Sequence, residues 1–156
     1  MDFIKETIKL AKKNVAKGGK PFACLIVRNG KVIASGVNRS ISTNDPTAHD
    51  VITAIRKATK LLKKEQLTDC EFYLLAEPCP MCLGALYFCS PKKVTFVVAR
   101  DEYGAHYRDK GKYFTLETLY KEFSKPWNKR KLPMVNKKHR EGIAVYTAWK
   151  KRRKER

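Results

Sequence analysis

The sequence predicts an α/β sandwich whose sheet is at least partly parallel. Two observations carry this. Helical apolar periods alternate along the chain with short runs of strand-forming residues, and an Asn29-Gly30 turn separates two of those runs. A chain of 156 residues is long enough for one domain with a real core. Residues 1–149 read as that domain and 150–156 as a basic C-terminal tail.

Residues 2–17 place Ile4, Ile8, Ala11 and Val15 on one helical face, and Gly18-Gly19 ends the period. Phe22 to Val27 is a continuous apolar strand, and Lys31 to Val37 returns beside it after Asn29-Gly30. Residues 38–45 are a polar loop. Asp45 and Pro46 then mark a helix start, as N-cap and first helical residue. That helix carries Ala48, Val51, Ile52, Ile55, Ala58 and Leu62 at spacings that pack on a sheet. Cys70 to Leu75 is a third strand and Val94 to Ala99 a fourth, with the apolar helix after Cys79 between them. Residues 101–113 are polar and aromatic without a period. Beyond them the pattern predicts a helix over Leu116–Phe123, a fifth strand at Met134-Val135 and a helix over Ile143–Trp149.

Apolar content of 43% argues against disorder. No apolar run approaches the roughly 20 residues needed to cross a bilayer, and Met1 to Lys5 lacks a secretory pattern, so no membrane association is expected. Of five cysteines, Cys24, Cys70 and Cys89 sit among strand or helix residues as reduced core thiols, which fits a cytoplasmic protein.

The chemistry concentrates in Glu77-Pro78-Cys79-Pro80-Met81-Cys82. Cys79 and Cys82 have the spacing of a metal clamp at a helix start, where the dipole and free N–H groups favour thiolate. The same spacing also serves redox pairs and packed thiols. Prolines on both sides of Cys79, and His49 in the first turn of a second helix, favour zinc.

The net charge is +19, and it is concentrated late: from Lys121 to Arg156, 14 Lys and Arg face 3 Glu, a net of +11. A solubilising tail or a thermophile surface would also be basic, but thermophile surfaces balance Lys with Glu. A polyanion partner, RNA above all, fits better, with Lys129, Arg130, Lys131, Lys150, Lys151, Arg152, Arg153 and Lys154 as candidate contacts.

His49 followed by Pro78-Cys79-Pro80-Met81-Cys82 resembles the zinc nucleobase deaminases of the cytidine deaminase-like fold. Asn44 to His49, Thr53 to Ala58 and Glu77 to Ala85 are similar to the bacterial guanine deaminase and tRNA adenosine deaminase branch. Pro21-Phe22, Asn38, Tyr120-Lys121-Glu122 and Ala148-Trp149 resemble it too, so the likeness spans nearly the whole chain. The resemblance implies a three-layer sandwich with a mixed five-stranded central sheet flanked by helices. It also implies Zn²⁺ on His49, Cys79 and Cys82, a substrate contact set of Asn38, Phe22 and Ala48, and a dimer. Asn38 would equally suit its own loop, and Phe22 the core.

The chain departs from the pattern at one position. The family carries its proton-shuttling Glu two residues after the His; here that residue is Val51. Asp50 is a neighbouring carboxylate, but on a helix it points about 100° away, and Glu77 belongs to the motif alongside the catalytic Glu. The non-catalytic subunit of eukaryotic tRNA adenosine deaminases resembles this chain in carrying Val there while keeping its zinc ligands. Two readings result. One is a deaminase-family zinc protein that engages RNA (tRNA above all) with weak or absent activity, as a homodimer or as partner of an active subunit. The other is an active hydrolytic deaminase of a guanine-, adenine- or cytosine-type base with an unusual proton shuttle.

Overall fold

The computed structural model describes residues 1–139 and 141–154, with only the backbone of Lys154. It forms two compact units, the first from Met1 to Asp109 and the second from Lys110 onward.

In the first unit, α1 (Phe3–Ala16) begins where the Asp2 carboxylate accepts the N–H groups of Ile4 and Lys5, both at 3.1 Å. β1 (Ala23–Arg28) and β2 (Lys31–Val37) form the expected hairpin. Both turn residues, Asn29 and Gly30, have positive φ, as a tight two-residue connection requires. After α2 (Ser40–Thr43) come α3 (Asp50–Leu62), β3 (Cys70–Ala76), α4 (Pro80–Cys89), β4 (Lys93–Val98) and α5 (Arg100–Tyr103). The sheet order is β2-β1-β3-β4; β1 is antiparallel to both neighbours and β3 is parallel to β4.

Ala23 to Val27 are all buried. Since successive strand residues face opposite sides, both faces of β1 must be covered. Helix α1 packs on β1 and β3, and α3 packs on β1 and β2. Phe72, Ile26, Leu67, Leu74 and Val51 fill the core. The backbone of β2 passes so close to α3 that a Cβ on Gly36 would lie 2.0 Å from the Asp50 carbonyl oxygen and 2.6 Å from Thr53 Oγ1. Gly36→Ala is therefore expected to destabilise the protein by about 1–3 kcal/mol, read as a lower midpoint in urea at unchanged slope.

The second unit holds a two-stranded ribbon, β5 (Lys110–Gly111) with β6 (Phe114–Thr115), then α6 (Leu116–Ser124), a 3₁₀ turn over Trp127–Lys129 and α7 (Gly142–Lys154). Three expectations need correction. The central sheet has four strands, not five: Met134-Val135 has no strand partner among the described residues. Two apolar residues directly after Pro133, which has no N–H to donate, are too little to enter a ladder. The helix expected from Pro46 begins instead at Asp50, with His49 as N-cap. Asp45 spends its carboxylate on the Thr47 N–H and hydroxyl, at 2.8 and 2.7 Å, which closes a local turn before the helix starts. Finally, α7 runs through Lys150–Lys154 without a break after Trp149. Residues 155–156 of the expected tail, and the Lys154 side chain, lie outside the described residues.

Candidate metal centre and its cavity

Two helix starts meet in the first unit. His49 is the N-cap of α3 and Cys79 the N-cap of α4, where Pro80 takes the first helical position and Cys82 falls in the first turn. The His49 Nδ1 atom lies 3.5 Å from Cys79 Sγ and 3.7 Å from Cys82 Sγ. All three donor atoms fall within 4.8 Å of one another. A tetrahedral zinc with Zn–N of about 2.0–2.1 Å and Zn–S of about 2.3 Å sets its donors about 3.6–3.8 Å apart. The cluster therefore has zinc dimensions, and three protein donors leave a fourth position open.

The local electrostatics suit a cation. The Cys79 thiol is pulled down to about 4, first by the hydrogen bond from Cys82 and then by His49, against the cost of burial. Cys82 is pushed up by the neighbouring Cys79 sulfur and by burial. His49 is raised by its contact with Cys79. A divalent ion held by these donors displaces thiol protons, so its binding strengthens as pH rises.

Beside the donors lies a cavity of about 20 Å³, room for roughly one water. Val51 lines it and is only 2% exposed. Asp50, 8% exposed, lines it as well, so the rotation of about 100° between these adjacent helix residues does not remove Asp50 from this wall. Burial lifts the Asp50 carboxyl to about 6, opposed by the charge of His49 and by N–H groups at the helix start. Glu77 borders the cavity but is committed elsewhere: its carboxylate accepts the Arg100 N–H at 2.9 Å and pairs with the Arg100 guanidinium at 3.3 Å. The same guanidinium donates to the Pro78 carbonyl at 2.8 Å, so Glu77 and Arg100 brace the loop that carries Cys79.

Of the expected substrate contacts, Phe22 lines the cavity, whereas Asn38 and Ala48 are buried outside its lining. The Asn38 Oδ1 accepts the Ser40 N–H and hydroxyl at 3.1 and 2.8 Å, holding the loop after β2.

Tyr103, Tyr107 and Asp109 were not anticipated. Tyr103 and Asp109 line the cavity. Tyr107 donates its hydroxyl to Asp109 at 2.7 Å and sets its ring edge-on to Phe22 at 4.8 Å. Lys20 lies 4.0 Å from the same carboxylate. The only sequence signal for this group was the clustering of aromatic and acidic residues in 101–113.

The proposed RNA contacts lie in the second unit. Lys129, Lys131, Lys150, Lys151, Arg152 and Arg153 are exposed. Arg130 is half-buried and donates to the carbonyls of Lys125 and Phe123, closing the end of α6. The Lys131 N–H donates to Glu122, and Arg153 stacks 5.0 Å over the Trp149 ring. No helix among the described residues is long and apolar enough to cross a membrane.

Residues 1–98 match the model of the cytidine and deoxycytidylate deaminase zinc-binding region. The chain is 41% identical over 150 residues to a guanine deaminase of Bacillus subtilis, covering 95% of this chain and 92% of that one. A crystal structure of guanine deaminase from Bacillus subtilis superposes with a TM-score of 0.86 at 39% identity, over 96% of this chain and 92% of the other. A tRNA-specific adenosine deaminase of Aquifex aeolicus is 32% identical over 139 residues, covering 79% of this chain and 92% of that one.

Proposed function

The chain belongs to the family of the cytidine and deoxycytidylate deaminase zinc-binding region, and from that membership we propose a zinc protein that engages RNA, tRNA above all, with intrinsic deamination weak or absent. The observation that carries the reading is Val51, an apolar residue on the cavity wall at the position where the family places its proton-shuttling carboxylate. Bound zinc supplies acidity to a water in the open fourth position. This chain's own residues then do two things. Cys79, Cys82 and His49 fix the metal, and the pair of Glu77 and Arg100 holds the Cys79 loop in place. Neither Val51 nor the braced Glu77 can carry a proton from that water to a base.

A second reading rests on Asp50. Its place in the cavity wall makes it the candidate shuttle of an active deaminase acting on a guanine-, adenine- or cytosine-type base.

RNA engagement is supported by the exposed cations of the second unit and by the tRNA-acting relative named above. Trp127, Tyr146 and Trp149 are exposed large aromatics and supply apolar surface for a second subunit, in a homodimer or a heteromer with an active deaminase. We place the protein in the cytoplasm. Titration of a labelled tRNA at increasing salt tests the RNA reading. Affinity should fall steeply with salt, and deleting residues 150–156, which hold six Lys and Arg, should flatten the slope by several charges. Binding indifferent to both would remove it.

A further inference from the structure

Helix α1 carries its charge on the side away from the sheet. Thr7 and Ala11 are buried on its inner side. At about 100° per residue, Lys5, Lys9, Lys12 and Lys13 fall within an arc of about 100° on the opposite side. All four are exposed, as is Lys17 at the C-cap. At a rise of about 1.5 Å per residue the row from Lys5 to Lys13 is about 12 Å long. Lys5 leans on Asp2 at 3.6 Å and Lys9 on Glu6 at 4.0 Å, both through side chains at least 80% exposed, where such pairs contribute little. Lys12, Lys13 and Lys17 have no acidic partner among the described residues.

Two ordinary explanations fall short. Cations at the end of a helix complement its dipole, which accounts for Lys13 and Lys17. Lys5, Lys9 and Lys12 lie before that last turn. A face that serves solubility alone mixes its signs, so that charges three and four residues apart attract. Here Lys5 and Lys9, Lys9 and Lys12, and Lys9 and Lys13 repel one another at those spacings, and each such pair weakens the helix. A row of phosphates laid along α1 offsets that repulsion. A membrane surface fits less well. The apolar residues that α1 leaves exposed, Ile4 and Val15, lie about 110–130° around the helix from the middle of the row, so no apolar face adjoins the lysines.

The row also has a destination. Asn14 Nδ2 donates to the carbonyls of Lys20 and Asn38, at 2.8 and 3.2 Å, and so ties the turn after α1 to the helix end. Lys20 then stands 4.0 Å from the Asp109 carboxylate and 5.6 Å over the Tyr107 ring. Asp109 lines the metal cavity, and so does Phe22, two residues beyond Lys20. Within the first unit, the cations of α1 therefore run toward the wall of that cavity.

We propose that the outward face of α1 is a phosphate track for an RNA strand, with Lys5, Lys9, Lys12, Lys13 and Lys17 holding the backbone as it approaches the metal cavity. The track rests on the RNA reading above and assigns it a surface besides the C-terminal cations.

The test uses the full chain and a fluorescein-labelled single-stranded RNA 12-mer of mixed sequence, with anisotropy read at several salt concentrations. Lys9→Gln, Lys12→Gln and Lys13→Gln together should reduce the salt slope by about 2, the share of three phosphate contacts on a single strand. The same three positions changed to Arg should keep the wild-type slope. A matched loss of three exposed cations elsewhere in the first unit, Lys31→Gln with Lys92→Gln and Lys93→Gln, should change it by less than half as much. Gln is a good helix former and all these side chains are exposed, so circular dichroism and zinc content should match the wild type. With RNA bound, Lys9, Lys12, Lys13 and Lys17 should be protected from acetylation, read by mass spectrometry, and Lys31 and Lys93 should not. A wild-type slope in the Gln triple, with the 150–156 deletion still flattening it, would overturn the track while leaving RNA binding intact. Equal flattening by the matched triple would overturn it too, because net charge alone would then explain the attraction. Binding to phosphatidylserine vesicles but not to RNA would make α1 a membrane-surface helix and remove both the track and the RNA reading.

Discussion

Val51→Glu should raise deamination by about two orders of magnitude or more, the scale of a positioned general acid–base group. The expectation follows from what surrounds the position. Val51 sits in the first turn of α3, two residues beyond His49, and lines the same cavity as all three metal donors. A carboxylate there would stand on the cavity wall beside the three donors; Glu and Val have similar volumes, and the cost of burying its charge would show as a lower melting temperature. The panel should include guanine, adenine, cytosine, their nucleosides and tRNA, with zinc content and melting temperature confirming that the variant folds. Wild type should show little turnover, and Asp50→Ala should change little. Brisk wild-type activity abolished by Asp50→Ala would instead establish Asp50 as the shuttle and end the weak-activity reading. If neither wild type nor Val51→Glu acts on any substrate, the defect lies in access to the cavity rather than in the missing carboxylate.

The elements that could be read from the sequence are those where local chemistry and tertiary packing agree. Ala23 to Val27 are apolar without alternation because both faces of β1 are covered. Asn29-Gly30 makes its turn because both residues accept positive φ. Cys79-Pro80 starts a helix in the sequence and in the fold alike. Legibility ends where a local signal serves a different purpose. Asp45-Pro46 reads as a helix cap, but the carboxylate closes a turn on Thr47, and the helix begins four residues after Pro46. The cavity wall was the least legible part of the site. Tyr103 and Asp109 reach it through a non-periodic segment, and Tyr107 of the same segment packs on Phe22, a contact that exists only once the chain has folded.

Purified without chelators, the protein should carry about one zinc per chain, and His49→Ala or the double substitution Cys79→Ser with Cys82→Ser should reduce this to near zero. Stability should follow the metal. A ligand present at about a thousand times its dissociation constant, and binding only the folded state, contributes about 4.1 kcal/mol. For a chain of this size that corresponds to roughly 8–16 °C in melting temperature. A strong chelator should lower the wild-type transition by a similar amount and leave the metal-free variants where they are. The size of the effect has a structural cause. The three donors sit at two helix starts, so the ion ties the beginning of α3 to the beginning of α4, and the two helices otherwise share few contacts. A Cys79–Cys82 disulfide in protein that never held metal, with a transition indifferent to chelator, would assign the pair to redox chemistry and withdraw the zinc centre.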